Sequence, residues 1–149
     1  MKQIKGQMRP NVYLVSSLKR INISDISKLL ESVGMRKRNA IAMRHAIAAS
    51  SDVAVAYLGN DLIGFGRMIS DRTYYGTIWD VAVREDQQGF GIGKQIMTLL
   101  LSQAKKRGLY MVGLVTSEYN RAFYEQLGFS FLDDVHAMTL KLKRTRSPQ

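Results

Sequence analysis

The stretch Val81-Ala82-Val83-Arg84-Glu85-Asp86-Gln87-Gln88-Gly89-Phe90-Gly91-Ile92-Gly93-Lys94 runs from a strand through a glycine-rich turn into a helix. The strand signal is the β-branched and aromatic run Gly76–Val83. The helix signal is the spacing of Ile92, Ile96, Leu99, Leu100 and Ala104, with Gly108 suited to the exit. A helix start leaves several backbone N–H groups unpaired and carries partial positive charge. Glycines at 89, 91 and 93 remove side chains that would hold an anion away from those amides. The turn therefore reads as a phosphate cradle. The alternative is a tight turn without a ligand. Lys94 adds a cation in the first helical turn, where it opposes the helix dipole unless an anion is bound.

Two other phosphate fingerprints fit poorly. The dinucleotide motif needs Gly-x-Gly-x-x-Gly, whereas the spacing here is Gly-x-Gly-x-Gly. A Walker loop needs a further glycine upstream and Ser or Thr after the lysine; position 88 is Gln and position 95 is Gln.

Outward from the turn, the order of elements is regular. Val12–Leu18 reads as a first strand. Ser24 is placed to cap a helix running to about Val33, with Gly34 at its exit. Asn39–Ala49 reads as a second helix with Ile41, Ala42, Ala46, Ile47 and Ala49 on a buried stripe. Asp52–Leu58 and Leu62–Ser70 flank the turn signal Gly59-Asn60-Asp61, and Gly76–Val83 extends the meander. After the long helix come a strand over Tyr110–Val115, a short helix over Asn120–Gln126, and two short strands at Ser130–Leu132 and Ala137–Leu142. The expectation is an α+β domain: a mixed sheet of about six to seven strands with helices on both faces. A helical crossover between parallel strands is expected to be right-handed.

Composition narrows the function. The 149 residues read as one domain, with its core over about 12–142 and basic ends. Apolar residues at 46% and charged residues at 23% suit an ordinary globule. With no cysteine, a disulfide framework, a thiolate nucleophile and Cys-based zinc are excluded. The two histidines, His45 and His136, are far apart, so no metal site is expected. No apolar run reaches the roughly 20 residues of a membrane span. A soluble intracellular setting is expected, cytoplasm or, for an algal or plant chain, plastid stroma. The net charge of +10 attracts polyanions. No helix combines clustered Lys/Arg with interleaved aromatics, which argues against nucleic acid as the partner.

Taken together, these residues resemble a known family. Gln88-x-x-Gly91-x-Gly93 is similar to the Gln/Arg-x-x-Gly-x-Gly/Ala signature of the GNAT superfamily of N-acetyltransferases. Asp80-Val81-Ala82-Val83 looks like the fourth strand of that family, and Phe123-Tyr124-Glu125-Gln126-Leu127-Gly128-Phe129 resembles its Phe-Tyr-x-x-Leu-Gly-Phe segment. The likeness spans about Val12 to Leu142. It implies acetyl-CoA as co-substrate and direct transfer to a primary amine. Amides from Gln88, Gly89, Phe90, Gly91, Ile92, Gly93 and Lys94 would hold the pyrophosphate. Val81, Ala82 and Val83 would pair with the pantetheine arm in a split between the strand ending at Val83 and the one beginning near Tyr110. Tyr124 would stand near the sulfur as the acid. Many relatives carry Asn and Ala where this chain has Ser117 and Asn120; Asn120 is a candidate replacement for the missing amide.

For the base, Asp80 stands amid Ile, Trp and Val; its alternative is a salt bridge to an arginine. Asp71 and Glu118 are further acidic candidates. In this architecture the second helix and the Asp71–Tyr75 connection flank the acceptor, so Tyr74, Tyr75 and Trp79 are candidate walls for an aromatic amine. Thr77–Val83, with Val33–Arg38, resembles the cyanobacterial and plastid serotonin (arylalkylamine) N-acetyltransferases. Their plant relatives are also described as acetylating protein lysines and N-termini. The resemblance thus implies an arylalkylamine acceptor such as serotonin or tryptamine, with protein lysines or N-termini as the alternative. Monomer and homodimer are both compatible with the sequence. A non-catalytic acetyl-CoA sensor is the remaining alternative.

Overall fold

The computed structural model describes residues 8–143. The basic positions Lys2, Lys5, Arg144 and Arg146 lie outside them. Five strands form one sheet in chain order: β1 (Asn11–Leu14), β2 (Asp52–Leu58), β3 (Asp61–Ser70), β4 (Tyr75–Val83) and β5 (Met111–Leu114). The first three pairings are antiparallel and β4 runs parallel to β5. Helices α1 (Ile23–Ser32) and α2 (Ala40–Ala49) fall between β1 and β2 in the chain. Helix α3 (Ile92–Arg107) joins β4 to β5, and α4 (Arg121–Gln126) follows β5.

Alternation along the strands, shifted by an irregularity of the β2–β3 pairing at Ile63, divides the core into two layers. Val53, Val55 and Phe65 pack with Ile26, Leu29 and Leu30 of α1 and with Met43 and Ile47 of α2. Ala54, Ala56, Ile63, Met68 and Ile78 pack on the other face with Ile92, Ile96, Met97 and Leu100 of α3. This is the expected mixed sheet with helices on both faces. Helix α3 lies close on β3 because Gly66 has no side chain; a Cβ there would come within 2.8 Å of the Ile96 side chain. Arg107, in the last turn of α3, makes a two-pronged contact with Asp52 at the start of β2.

Some boundaries differ from the sequence reading. The α1 cap is Asn22, whose Oδ1 accepts from the Ser24 amide at 3.0 Å. Both Asn22 and Ser24 suit a cap; the apolar Ile23 enters the core, so the helix starts earlier than expected. In α2, Met43 and Ile47 are buried while Ile41 is 54% exposed, so the buried stripe is narrower than expected. Ser130–Leu132 and Ala137–Leu142 form no strands, which gives five strands among the described residues instead of six or seven. Alternation alone does not make a strand; these segments pair with no neighbour among the described residues, and Met138, Leu140 and Leu142 stand exposed.

Candidate active site

Residues 85–87 form a single 3-10 turn after β4, and Gln88 then returns to extended backbone. The Gln88 side chain donates from Nε2 to the Val83 carbonyl at 2.9 Å, tying the glycine turn to the strand end. Gly89 and Gly91 have φ of +83° and +81°, a region that L side chains seldom enter. A Cβ on either would meet nothing within 4 Å, so their open side faces free space. Gly91 caps α3 without any side-chain hydrogen bond. The first α3 amide with a carbonyl partner at its start is Gln95, which bonds Gly91. Among the described residues, the amides of Ile92, Gly93 and Lys94 therefore have no acceptor. Gly93 lies beside α4: a Cβ there would make an ordinary contact with the Phe123 ring at 3.4 Å.

These elements enclose a groove of about 620 Å³. Val81, Ala82 and Val83 of β4, the run Gln88, Gly89, Gly91, Ile92, Gly93 and Lys94, and Asn120, Phe123 and Tyr124 all line it. Its geometry comes from a split in the sheet. Strand β4 pairs with β5 only over Tyr75–Ile78. From Trp79 onward its edge toward β5 has no strand partner among the described residues. The split coincides with a bulge. Phe65 pairs with Ala82 and Arg67 with Trp79, so Gly66 alone stands opposite Asp80 and Val81.

The Tyr124 ring is half-buried, edge-on to Phe123 at 4.9 Å and to Phe129 at 5.9 Å between centroids. Burial pushes its hydroxyl above the ordinary tyrosine range, so it keeps its proton at neutral pH. The Asn120 carboxamide approaches the Ser117 hydroxyl at 3.4 Å. The two polar residues at the altered family positions thus adjoin each other.

Asp80 has the arginine partners that the salt-bridge alternative calls for. Its carboxylate side chain is 6% exposed and pairs with Arg38 at 2.6 Å and Arg67 at 2.7 Å. Burial alone would raise its pKa, but the hydrogen bonds and charges of the two guanidinium groups outweigh that, and the carboxyl lies below its usual range. Such a group takes up a proton poorly. The salt-bridge alternative describes it better than the role of base. Asp71 is also structural: its Oδ1 accepts from the amides of Thr73, Tyr74 and Tyr75, and these bonds lower its pKa. Glu118 pairs with Arg121 on the surface. His45 and His136 are exposed and do not line the groove.

The three aromatic candidates separate. Trp79 is 45% exposed and directly precedes Asp80. Tyr74 and Tyr75 sit at the opposite end of β4, with Tyr75 edge-on to Tyr110. Five residues of strand, about 17 Å, divide Tyr75 from the bulge, too far to share a small acceptor pocket with it. Phe90 is 73% exposed and does not line the groove, although its neighbours do. Sequence reasoning missed Val33 and Met35, which line the groove from the loop between α1 and α2. It also missed Arg38 and Arg67 as the partners of Asp80; the only signal was the acid in an apolar strand.

Comparison with known proteins agrees with this geometry. Residues 23–129 match the family described as the acetyltransferase (GNAT) family. A Porphyra purpurea protein described as "uncharacterized N-acetyltransferase ycf52" is 36% identical over 123 residues, covering 80% of this chain and 70% of that one. The rice protein named serotonin N-acetyltransferase 2, chloroplastic, is 25% identical over 119 residues, covering 76% and 59%. The solved structure of a GNAT-family acetyltransferase from Streptococcus pneumoniae shares the fold, with a TM-score of 0.77 at 24% identity, over 91% of this chain and all of that one. The chain belongs to the GNAT family of N-acetyltransferases. It is an acyltransferase that takes acetyl-CoA as its donor. Among the described residues no helix is long and apolar enough to cross a membrane, and no cluster of potential metal ligands occurs.

Proposed function

We propose that the chain acetylates the primary amine of a small arylalkylamine such as serotonin or tryptamine. The observation that carries this reading is Trp79, a half-exposed indole placed next to the bulge on the strand that lines the groove. The name of the rice relative supports the same acceptor class, and the word chloroplastic in that name supports a plastid setting. Protein lysines and N-termini are the second reading. They are favoured by the separation of Tyr74 and Tyr75 from the bulge, which leaves Trp79 without those two rings as facing walls.

The groove fits the donor. Acetyl-CoA supplies an acetyl thioester that an amine attacks directly. The acceptor-free amides of Ile92, Gly93 and Lys94, with the open sides of Gly89 and Gly91, suit its pyrophosphate. The unpaired edge of Val81–Val83 offers main-chain groups to its arm and a donor to a developing oxyanion. Tyr124, held protonated by burial, gives its proton to the departing sulfur. An alkylammonium near pKa ~10 must first lose a proton. Arg38 and Arg67 outnumber the single charge of Asp80, and this excess disfavours the ammonium form near the bulge. The amine then enters neutral and passes its later proton to solvent.

The test is an acceptor panel with acetyl-CoA: serotonin, tryptamine, phenylethylamine, polyamines and peptides, read by release of free thiol. Serotonin or tryptamine should give the highest kcat/KM. A preference for peptides over every small amine would transfer the assignment to protein amines.

A further inference from the structure

Asp80 has φ of +58°, left-handed backbone inside a strand. Among the described residues only Arg72 shares that feature outside glycine. Arg72 lies in an exposed turn, whereas Asp80 lies in a sheet under two arginines. Strained backbone of this kind persists only where the surroundings over-determine it. Here the surroundings are specific. Arg67 comes from β3, directly beside the bulge, and its Nη1 also donates to the Ser50 hydroxyl at the end of α2. Arg38 comes from the loop between α1 and α2, the same loop whose Val33 and Met35 line the groove. Both guanidinium groups meet one oxygen, Oδ2. The bulge in turn falls where β4 leaves β5 and its edge becomes free.

We propose that Asp80 is a positioning residue: the Arg38–Asp80–Arg67 clamp holds the β4 backbone in its left-handed bulge, and so holds open the edge of Val81–Val83 that receives the donor. The clamp also pins the α1–α2 loop to that bulge, coupling the acceptor-side wall to the donor-side strand. Among acids, aspartate suits the site because Asp and Asn visit the left-handed region more readily than other L residues. The consequence for activity rests on the donor reading given above, but the clamp itself is a statement about backbone.

Three variants test it. Asp80→Asn keeps the left-handed tolerance and an oxygen for the arginines. Asp80→Val removes both, since a β-branched residue is a steric outlier there. Arg38→Gln cuts one arm at a side chain that is 31% exposed, so the fold should survive. The expected result is a CoA dissociation constant raised about tenfold in Asp80→Val and less in Arg38→Gln. Asp80→Asn should lose about threefold to tenfold in kcat/KM, far below the 10²–10⁴-fold that removal of a general base costs, and the pH profile of kcat should keep its shape and move toward lower pH, because the two guanidinium charges then stand unopposed near the amine. Amide exchange over Trp79–Val83 reads the clamp with no ligand; it should quicken in Asp80→Val and Arg38→Gln while Val53–Ala56 stays protected. Unchanged exchange at Trp79–Val83 in both variants overturns the clamp. So does a loss in kcat beyond about hundredfold in Asp80→Asn with CoA affinity intact, because that marks a proton-transfer role. Absence of CoA binding to the unsubstituted protein would instead count against the donor reading, and the exchange data would still judge the clamp.

Discussion

Replacing Gly91 with alanine separates the groove from the rest of the fold. Gly91 caps α3 at φ +81° and ψ +8°. An added Cβ meets nothing within 4 Å, so packing offers no penalty. What remains is backbone: a left-handed conformation costs an L residue about 1–2 kcal/mol. The chain has two ways to respond. If residue 91 stays left-handed, stability falls by about 1 kcal/mol, a drop of about 2–4 °C in Tm for a domain near this size. If it relaxes to negative φ, the amides of Ile92, Gly93 and Lys94 turn away from the groove. The same strain is then converted into lost affinity, about tenfold for each 1.4 kcal/mol. Gly93→Ala is the control, because Gly93 has an ordinary φ within the helix and its Cβ would make only an ordinary contact with Phe123. There the helix gains about 0.5–1 kcal/mol from replacing glycine, and Tm should hold or rise. The assays are calorimetry with CoA and thermal melting followed by circular dichroism. If Gly91→Ala melts like the unsubstituted protein and also binds CoA equally well, the account of the helix start as the anion site is wrong.

Other substitutions probe the remaining parts. Tyr124→Phe should lower kcat by about 10²-fold while CoA affinity stays within about twofold, read by thiol release and calorimetry; unchanged turnover removes Tyr124 as the acid. Because burial raises the Tyr124 pKa above 10.0, its stabilising protonated form is complete below that value. Stability should therefore fall as pH rises through the raised pKa, and Tyr124→Phe should flatten that alkaline decline in a pH series of melts. Asp80 gives the opposite sign. Its pKa lies below the ordinary 3.8, so its contribution is present above that pH and is lost as pH falls through the lower folded value; Asp80→Asn should remove this acid-side slope. Arg107→Ala leaves Asp52, whose side chain is 7% exposed, without its two-pronged partner. Urea unfolding should show a loss of about 2 kcal/mol, toward the low side for a broken buried pair because Arg107 is partly exposed.

What the sequence revealed of this site follows the range over which each feature is determined. The cradle was legible because it is local. Its glycines, its strand exit and its helix start lie within Val81–Lys94, and backbone conformation there depends on residue types a few positions apart. Tyr124 was legible only through a second signature, since nothing in a short aromatic helix says that it faces a groove. The clamp was hidden for the opposite reason. Arg38, Arg67 and Asp80 come from a loop and two strands, and the chain carries 22 lysines and arginines from which to choose. An acid in the run Ile78-Trp79-Asp80-Val81 announces that burial needs an explanation; it does not say which cation supplies it. The aromatic candidates separate in space: Tyr74, Tyr75 and Trp79 read as one cluster along the chain, but an extended strand carries its two ends far apart. Ser130–Leu132 and Ala137–Leu142 failed on pairing, because a strand is defined by a neighbour and alternation supplies only one half of that relation. The left-handed angle at Asp80 has the same character. No residue type in that run demands it; it exists because two cations on other elements hold one carboxylate oxygen in place. The glycine turn beside the groove is thus written in neighbouring residues, and the free edge of Val81–Val83 is written in contacts between distant ones.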